Sequence, residues 1–171
     1  MLRCRVSGQA MRPRLKAYCD VLRLSDRYPL ASPAPGEELV TVELGDKGDV
    51  LQLLEGVEAV VHLGGISTEQ PWEHILQANI DGLLNVYEAA RQCKTKRIVF
   101  ASSNHVTGFY KQSEVVSPRD PVRPDGLYGL SKAFGENLAQ LYWDRHGIET
   151  VSLRIGSAFE TRPMERGSAI G

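Results

Sequence analysis

Tyr128, Lys132 and the pair Ser102-Ser103 are the residues whose types and spacing could do chemistry. Tyr128 and Lys132 lie four apart in Tyr128-Gly129-Leu130-Ser131-Lys132, so they share one face of any helix that contains them. An ammonium beside a phenol favours the phenolate and lowers a pKa that starts near ~10. Each unit of that lowering is worth about 1.4 kcal/mol. A serine hydroxyl at the end of a preceding strand could hydrogen-bond the same substrate oxygen. Together the three groups suit a proton-coupled hydride transfer at an alcohol or carbonyl carbon. A Tyr-x-x-x-Lys alone is usually a solvated helix face. The Ser-Ser pair after an apolar strand, upstream at Ser102-Ser103, gives it weight.

The elements that must position these groups can be read along the chain. Val21–Leu24 and Glu38–Val42 read as short strands, separated by a Pro/Ala/Gly-rich loop from Pro29 to Gly36. Asp49–Leu54 reads as a short helix. Ala59-Val60-Val61-His62-Leu63 is a continuous apolar run ended by Gly64-Gly65, the pattern of a strand buried on both faces, with His62 as a packed core histidine. Trp72–Arg91 carries apolar residues at helical spacing over some five turns. Arg97–Ala101 is the next strand, Leu127–His146 a second long helix stopped by Gly147, and Thr150–Ile155 a last strand. Such alternation predicts an α/β fold: a doubly wound, Rossmann-like parallel sheet with helices on both faces. Ligands of such sheets bind outside the carboxyl ends of the strands. Gly64, Ser102-Ser103 and Gly156-Ser157 each follow a strand, so three strand ends converge with Tyr128 on one crevice, which reads as an enzyme site.

Composition narrows the classes. The 171 residues suit one domain, and 20 basic against 21 acidic side chains leave a formal charge of −1, with no electrostatic case for nucleic acid or an acidic membrane. No apolar run approaches the ~20 residues of a membrane span. Met1-Leu2-Arg3-Cys4-Arg5 lacks the apolar stretch of a signal peptide. Cys4, Cys19 and Cys93 form no CxxC and read as reduced thiols of a cytoplasmic protein, with no metal site.

The segments His62–Ser67, Phe100–His105, Arg123–Lys132 and Arg154–Ser157 carry a resemblance to a known family. The chain resembles the extended short-chain dehydrogenase/reductases (the NAD-dependent epimerase/dehydratase family), and within them the branch that oxidises hexuronic acids, from about Leu15 to Ser157. The resemblance implies NAD-dependent oxidation of the C1 hydroxyl of cyclic glucuronate or galacturonate to an aldarolactone, the cofactor doing the redox chemistry. It makes Tyr128 the base, Lys132 the group that binds the nicotinamide ribose, and Ser103, not Ser102, the serine that positions the reacting oxygen. Ser67, Asn104, His105 and Ser157 fall where the family contacts the sugar. Asp26 matches the acid that binds the adenosine ribose and prefers NAD. Leu63, Gly64, Gly65 and Asn79 fall on the cofactor side, and Glu43-Leu44 near the adenine, where the family usually has Asp-Leu. Read as residues alone, several have plainer roles. Asn104 and His105 could satisfy loop backbone, Asp26 could be a turn acid, Asn79 an ordinary polar helix position, and Gly64-Gly65 a tight turn.

Two departures from the family pattern stand out. The family's first strand is followed by a loop with three glycines, whereas here Val6-Ser7-Gly8-Gln9-Ala10-Met11 leaves Gly8 without a second or third, as if roughly six residues were absent. That shortens the anion site at a helix start. After Ser157, residues 158–171 diverge, and the arginine for the substrate carboxylate is Arg166 by plain counting or Arg162 with a gap. The expectation is an NAD-binding core over 1–157 with a divergent tail, lacking most of the substrate region and leaving apolar surface uncovered. Two other readings stay open: a nucleotide-sugar epimerase or dehydratase of the same superfamily, and a truncated non-catalytic form acting as a binding or regulatory partner. The two long helices also offer the apolar faces for a homo-oligomer.

Overall fold

Why the chain alternates follows from where its turn residues and caps fall. The computed structural model describes residues 5–156, which form five parallel strands alternating with helices. Helix α1 (Arg5–Leu15) leads through a short 3-10 turn into β1 (Leu22–Asp26). The Pro-rich loop then returns to β2 (Glu37–Thr41), which pairs parallel with β1, Leu22 opposite Glu37. Arg12 pins α1 over this pair, its Nε donating to Glu37 at 2.9 Å. Helix α2 (Lys47–Leu54) starts at Asp46, whose carboxylate accepts from Asp49 N at 3.0 Å, and leads to β3 (Ala59–His62). β4 (Arg97–Ser103) and β5 (Glu149–Ile155) follow, separated by the long α5 (Leu127–His146), and make a parallel sheet ordered β3-β4-β5. α5 matches its expected bounds, and the strands fall within a residue or two of theirs.

Two features depart from the pattern read in sequence. The stretch expected as one helix over Trp72–Arg91 is a helical rod with a defect: α3 (Trp72–Ile75), a π turn (Leu76–Asp81) and α4 (Gly82–Gln92). The wide turn accommodates one extra residue and swings the polar Asn79 inward, where it is buried. The parallel sheet is also in two parts, because among the described residues β1 is hydrogen-bonded only to β2 and β3 is laddered only to β4. Gly8 lies inside α1, not on a loop following a strand.

Strand alternation sorts the two faces of the three-stranded sheet. Val60, Ile98 and Phe100 face the helices and pack with Leu54 of α2, Leu83 and Tyr87 of α4 and Leu138 of α5, all buried. The other face of β5 is open: Val151 is 57% and Leu153 46% exposed, the uncovered apolar surface expected from the sequence. No helix among the described residues is long and apolar enough to cross a membrane, and no cluster among them could hold a metal ion. Ser157, Arg162 and Arg166 lie outside the described residues, as does the 158–171 tail.

His62 sits in this core, stacked on Phe100 at 6.0 Å, and its Nδ1 has no hydrogen-bond partner. Burial, helped by the Lys132 charge, lowers its pKa from 6.5 to about 3. A histidine kept neutral by the fold but free to protonate when unfolded costs stability as pH drops below 6.5, until it protonates in the folded state near 3. At pH 5 the loss relative to pH 7 is about 2 kcal/mol, from about 1.4 kcal/mol per unit. Denaturant titrations at pH 7 and pH 5 are expected to show that loss, and His62→Leu to remove most of it. An equal loss in the variant would refute the assignment.

Candidate active site

The carboxyl ends of β3 and β4 and the amino end of α5 build the site. α5 must start where Tyr128 can reach the end of β4, and three local interactions fix it there. Glu69, in the loop after β3, accepts from Leu127 N at 2.9 Å and Tyr128 N at 3.0 Å, satisfying two amides that open the helix and placing negative charge at its positive end. Asn79 joins loop and helix: its Oδ1 accepts from Ile66 N at 2.7 Å, and its Nδ2 donates to Ile66 O at 3.0 Å and to Ser131 Oγ at 2.9 Å. Ser131 in turn donates to Tyr128 O at 2.7 Å. Gly129 allows the third contact, because a Cβ there would stand 2.4 Å from the His105 carbonyl oxygen.

Tyr128 and Lys132 lie on the buried side of α5, one turn apart. The Lys132 Nζ is 5.8 Å from the Tyr128 ring centroid and 5.0 Å from that of Phe100, and it donates to Ala101 O at 2.9 Å. Desolvation lowers its pKa from 10.5 to about 8. A cation held in so dry a place acts strongly on any negative charge that forms beside it. Ser103, buried at the end of β4, accepts from His105 N at 3.2 Å and donates to Asn104 Oδ1 at 3.4 Å. Ser102 is committed elsewhere. Its Oγ donates to Glu136 at 2.6 Å, and Glu136 is held by Arg154 of β5 at 2.8 Å, so this network ties α5 to both strands.

His105 stands edge-on to Tyr128, ring centroids 5.6 Å apart, with Nδ1 2.9 Å from both Asp125 oxygens. A carboxylate only accepts, so Nδ1 carries a proton toward Asp125 and Nε2 is the ring nitrogen left outside this contact. Asn104 and His105 are both exposed, as is Ser67. Gly64 is buried and Gly65 takes φ +110, so the loop after β3 passes close to Asn79. Both Asn79 amide hydrogens are spent inside the protein, leaving only Oδ1 capacity for a ligand. Asp26 ends β1 and accepts from Tyr28 N at 3.2 Å. Glu43 is exposed and pairs with Arg27 at 3.5 Å, while Leu44 is buried and its carbonyl accepts from Asn85 at 2.8 Å.

Sequence reading missed Glu69, Asp125, Glu136 and Arg154. Each acts across 18 to 59 residues of chain, and a lone acid in a loop carries no periodic signal. For Asp125 a faint signal existed: it closes a polar loop just before the α5 start.

Comparison with known proteins follows the same residues. The pattern of the NAD dependent epimerase/dehydratase family matches residues 7–167. The chain is 56% identical over 153 residues to a uronate dehydrogenase of Pseudomonas putida, covering 89% of this chain and 57% of that one. It is 54% identical to one from Agrobacterium fabrum, covering 88% and 57%. Among solved structures, it superposes with a TM-score of 0.82 on a mutant uronate dehydrogenase from Agrobacterium tumefaciens complexed with NAD, 53% identical and covering 84% of this chain and 54% of that one. A glucuronic acid dehydrogenase from Chromohalobacter salexigens gives 0.87 at 49% identity, covering 89% and 57%. The chain thus spans little more than half the length of these relatives. With the family pattern matched over nearly its whole length, the chain belongs to the NAD dependent epimerase/dehydratase family.

Proposed function

We propose that this chain is the catalytic core of an NAD-dependent uronate dehydrogenase, acting on the C1 hydroxyl of glucuronate or galacturonate. The observation that carries the reading is the buried Lys132 one turn from Tyr128, with Ser103 at the adjoining strand end. The described residues suit the two ribose ends of the dinucleotide. Asp26 at the end of β1 would hold the adenosine ribose, Lys132 the nicotinamide ribose, and the backbone of Leu63-Gly64-Gly65 lets the cofactor approach closely. Between β1 and β3 they supply no glycine-rich phosphate loop, which makes the pyrophosphate the weakly held part. NAD when bound supplies the acceptor for the hydride leaving C1. Tyr128 takes the hydroxyl proton onto its phenolic oxygen, and the Lys132 charge favours the phenolate that does so. Ser103 donates to the reacting oxygen, and Nε2 of His105, oriented by Asp125, accepts from a sugar hydroxyl. Ser67 and Asn104 offer further polar contacts to the sugar. The roles of Ser157 and Arg166 toward the substrate rest on the family resemblance alone.

Isothermal titration with NAD, beside galacturonate-dependent NADH formation, tests this reading. The chain is expected to bind NAD saturably, and Tyr128→Phe to bind it similarly while losing at least ~100-fold in turnover, the usual size of a general-base contribution. Absence of both binding and turnover would overturn the proposal for this chain.

Lys132 and Glu69 are expected to separate stability from activity. Because the fold depresses the Lys132 pKa from 10.5 to about 8, its charge costs stability below about pH 8, a cost that disappears as pH rises past 10.5. Lys132→Met should therefore raise stability at pH 7, by up to about 3 kcal/mol, while abolishing turnover. Glu69→Ala removes a helix cap and should lower stability by about 1 kcal/mol and turnover with it, through a displaced Tyr128. Thermal melts and initial rates on the two variants read both effects. A destabilised Lys132→Met would show that its bond to Ala101 outweighs the buried charge.

We also infer self-association through the helical rod and α5. Leu76, Leu84, Leu130 and Leu141 stand exposed on them, and two such faces would form a four-helix contact. Sedimentation should show a dimer that Leu130→Arg dissociates; a monomer at all concentrations would end this reading.

A further inference from the structure

Lys132 has a carboxylate for a helical neighbour and does not pair with it. Tyr128, Lys132 and Glu136 follow one another at intervals of four along α5, so they form one stripe, each about a turn from the next. A lysine and a glutamate at this spacing ordinarily meet as an ion pair. Here Lys132 donates instead to the Ala101 carbonyl at 2.9 Å, and burial alone holds its pKa at about 8. The carboxylate one turn along does nothing to raise it.

What occupies Glu136 is Arg154. Thr150 and Arg154 lie on the half-buried side of β5, Thr150 against Tyr87 of α4 and Arg154 against Glu136 of α5. The sheet register sets Arg154 opposite Ser102 of β4. Arg154 Nε donates to Glu136 Oε1 at 3.0 Å and Nη2 to Oε2 at 2.8 Å, while Ser102 Oγ donates to Oε1 at 2.6 Å. The two charged side chains are only 22% and 15% exposed. A guanidinium fork on a carboxylate is a strong, directional pairing. Its charges cancel at the distance of Lys132, whose own charge stays whole.

Other charged groups surround the stripe. His105, paired with Asp125, stands edge-on to Tyr128, and Glu69 accepts from the Tyr128 amide. His62 of β3 is buried near Lys132 and neutral, while Asp120 and Tyr110 act on Arg154. Glu73, His74 and Asp81 of the helical rod are exposed. Among the described residues, none of these bonds Lys132 or Glu136, so Arg154 is the charge that decides what Glu136 does.

We propose that Arg154 is a positioning residue that acts through charge: by holding Glu136 in a neutral pair, it keeps the pull of Lys132 on the Tyr128 phenol undiluted. This role presupposes the reading of Tyr128 as the base. Without the guanidinium, Glu136 would face Lys132 as a bare carboxylate and oppose the phenolate. Without the carboxylate, the guanidinium would add a second positive charge and favour the phenolate. The two partners of one salt bridge thus have opposite effects on the base, which a merely structural pair would not have.

Two readouts test this. Carbon-13 at the tyrosine Cζ follows Tyr128 ionisation by NMR in the unliganded chain, its signal being the one lost in Tyr128→Phe. The pH dependence of galacturonate-dependent NADH formation follows it in turnover. Arg154→Gln should move the Tyr128 midpoint and the acid limb of the rate up by at least ~0.5 pH unit, and Glu136→Gln should move both down similarly. The double variant, neutral at both positions, should return the midpoint to within about 0.2 unit of the native one, even with a lower melting temperature. Ser102→Ala breaks the tie to β4 without changing charge and should leave the midpoint in place. No shift in Glu136→Gln, or shifts of the same sign in both single variants, would overturn the proposal. The Glu136→Gln result alone decides it if Arg154→Gln does not fold. Opposite NMR shifts in a chain without turnover would support the role of Arg154 and count against the uronate reading alone.

Discussion

The site depends on one constraint: α5 must begin within reach of the β4 end, and must stay there. A helix start leaves its first amides without partners. Here Glu69 takes two of them from a loop nearly sixty residues away, and Asn79 bridges that loop to Ser131. The same few bonds therefore fix the phenol and the loop after β3 against the amino end of α5 at once. The Glu136–Arg154 pair secures the rest of the helix to β4 and β5 through Ser102. Because these ties are polar and specific, they set position more than they add stability. The apolar stabilisation comes from beneath, where Phe100, Leu83 and Leu138 pack.

Lys132 shows how the site uses that packing. An ammonium beneath a helix, against Phe100 and with one carbonyl for a partner, is costly to keep charged. Under the function proposed here, a charge so poorly solvated would act strongly on a phenolate formed beside it. His62, two residues before Gly64, shares the same dry layer and stays neutral within it. Core and active site are thus one environment seen from two sides.

Much of this was legible in the amino-acid sequence. α5 carries a clear stop signal, Gly147 taking a left-handed turn at its end, and its bounds were read correctly. The strand at Ala59–His62 announced itself as an apolar run, but where burial on both faces was expected only Val60 and His62 are buried and Ala59 is exposed. The α/β class, the family and the similarity to uronate dehydrogenases all follow from motifs at the strand ends. What stayed hidden was non-local. The stretch Trp72–Arg91 read as one regular helix, and the π turn at Leu76–Asp81 within it was not anticipated. The clasp at Glu69 and the dyad at Asp125 depend on which loops meet in space, which no period encodes. The division of the described strands into two sheets was not read from the sequence, which predicted one.

The π turn has a consequence for chain length. A turn of this kind is a helical turn widened to hold one more residue than an α-helical turn does. Deleting one residue between Leu76 and Asp81 would restore regular winding and turn everything before it by about 100° relative to α4, one residue's share of a 3.6-residue turn. Asn79 would leave its pocket, and the loop after β3 would lose its anchor to α5. Single-residue deletions are often absorbed by a helix on a surface. In this stretch the place of Asn79 depends on the number of residues as well as on their side chains.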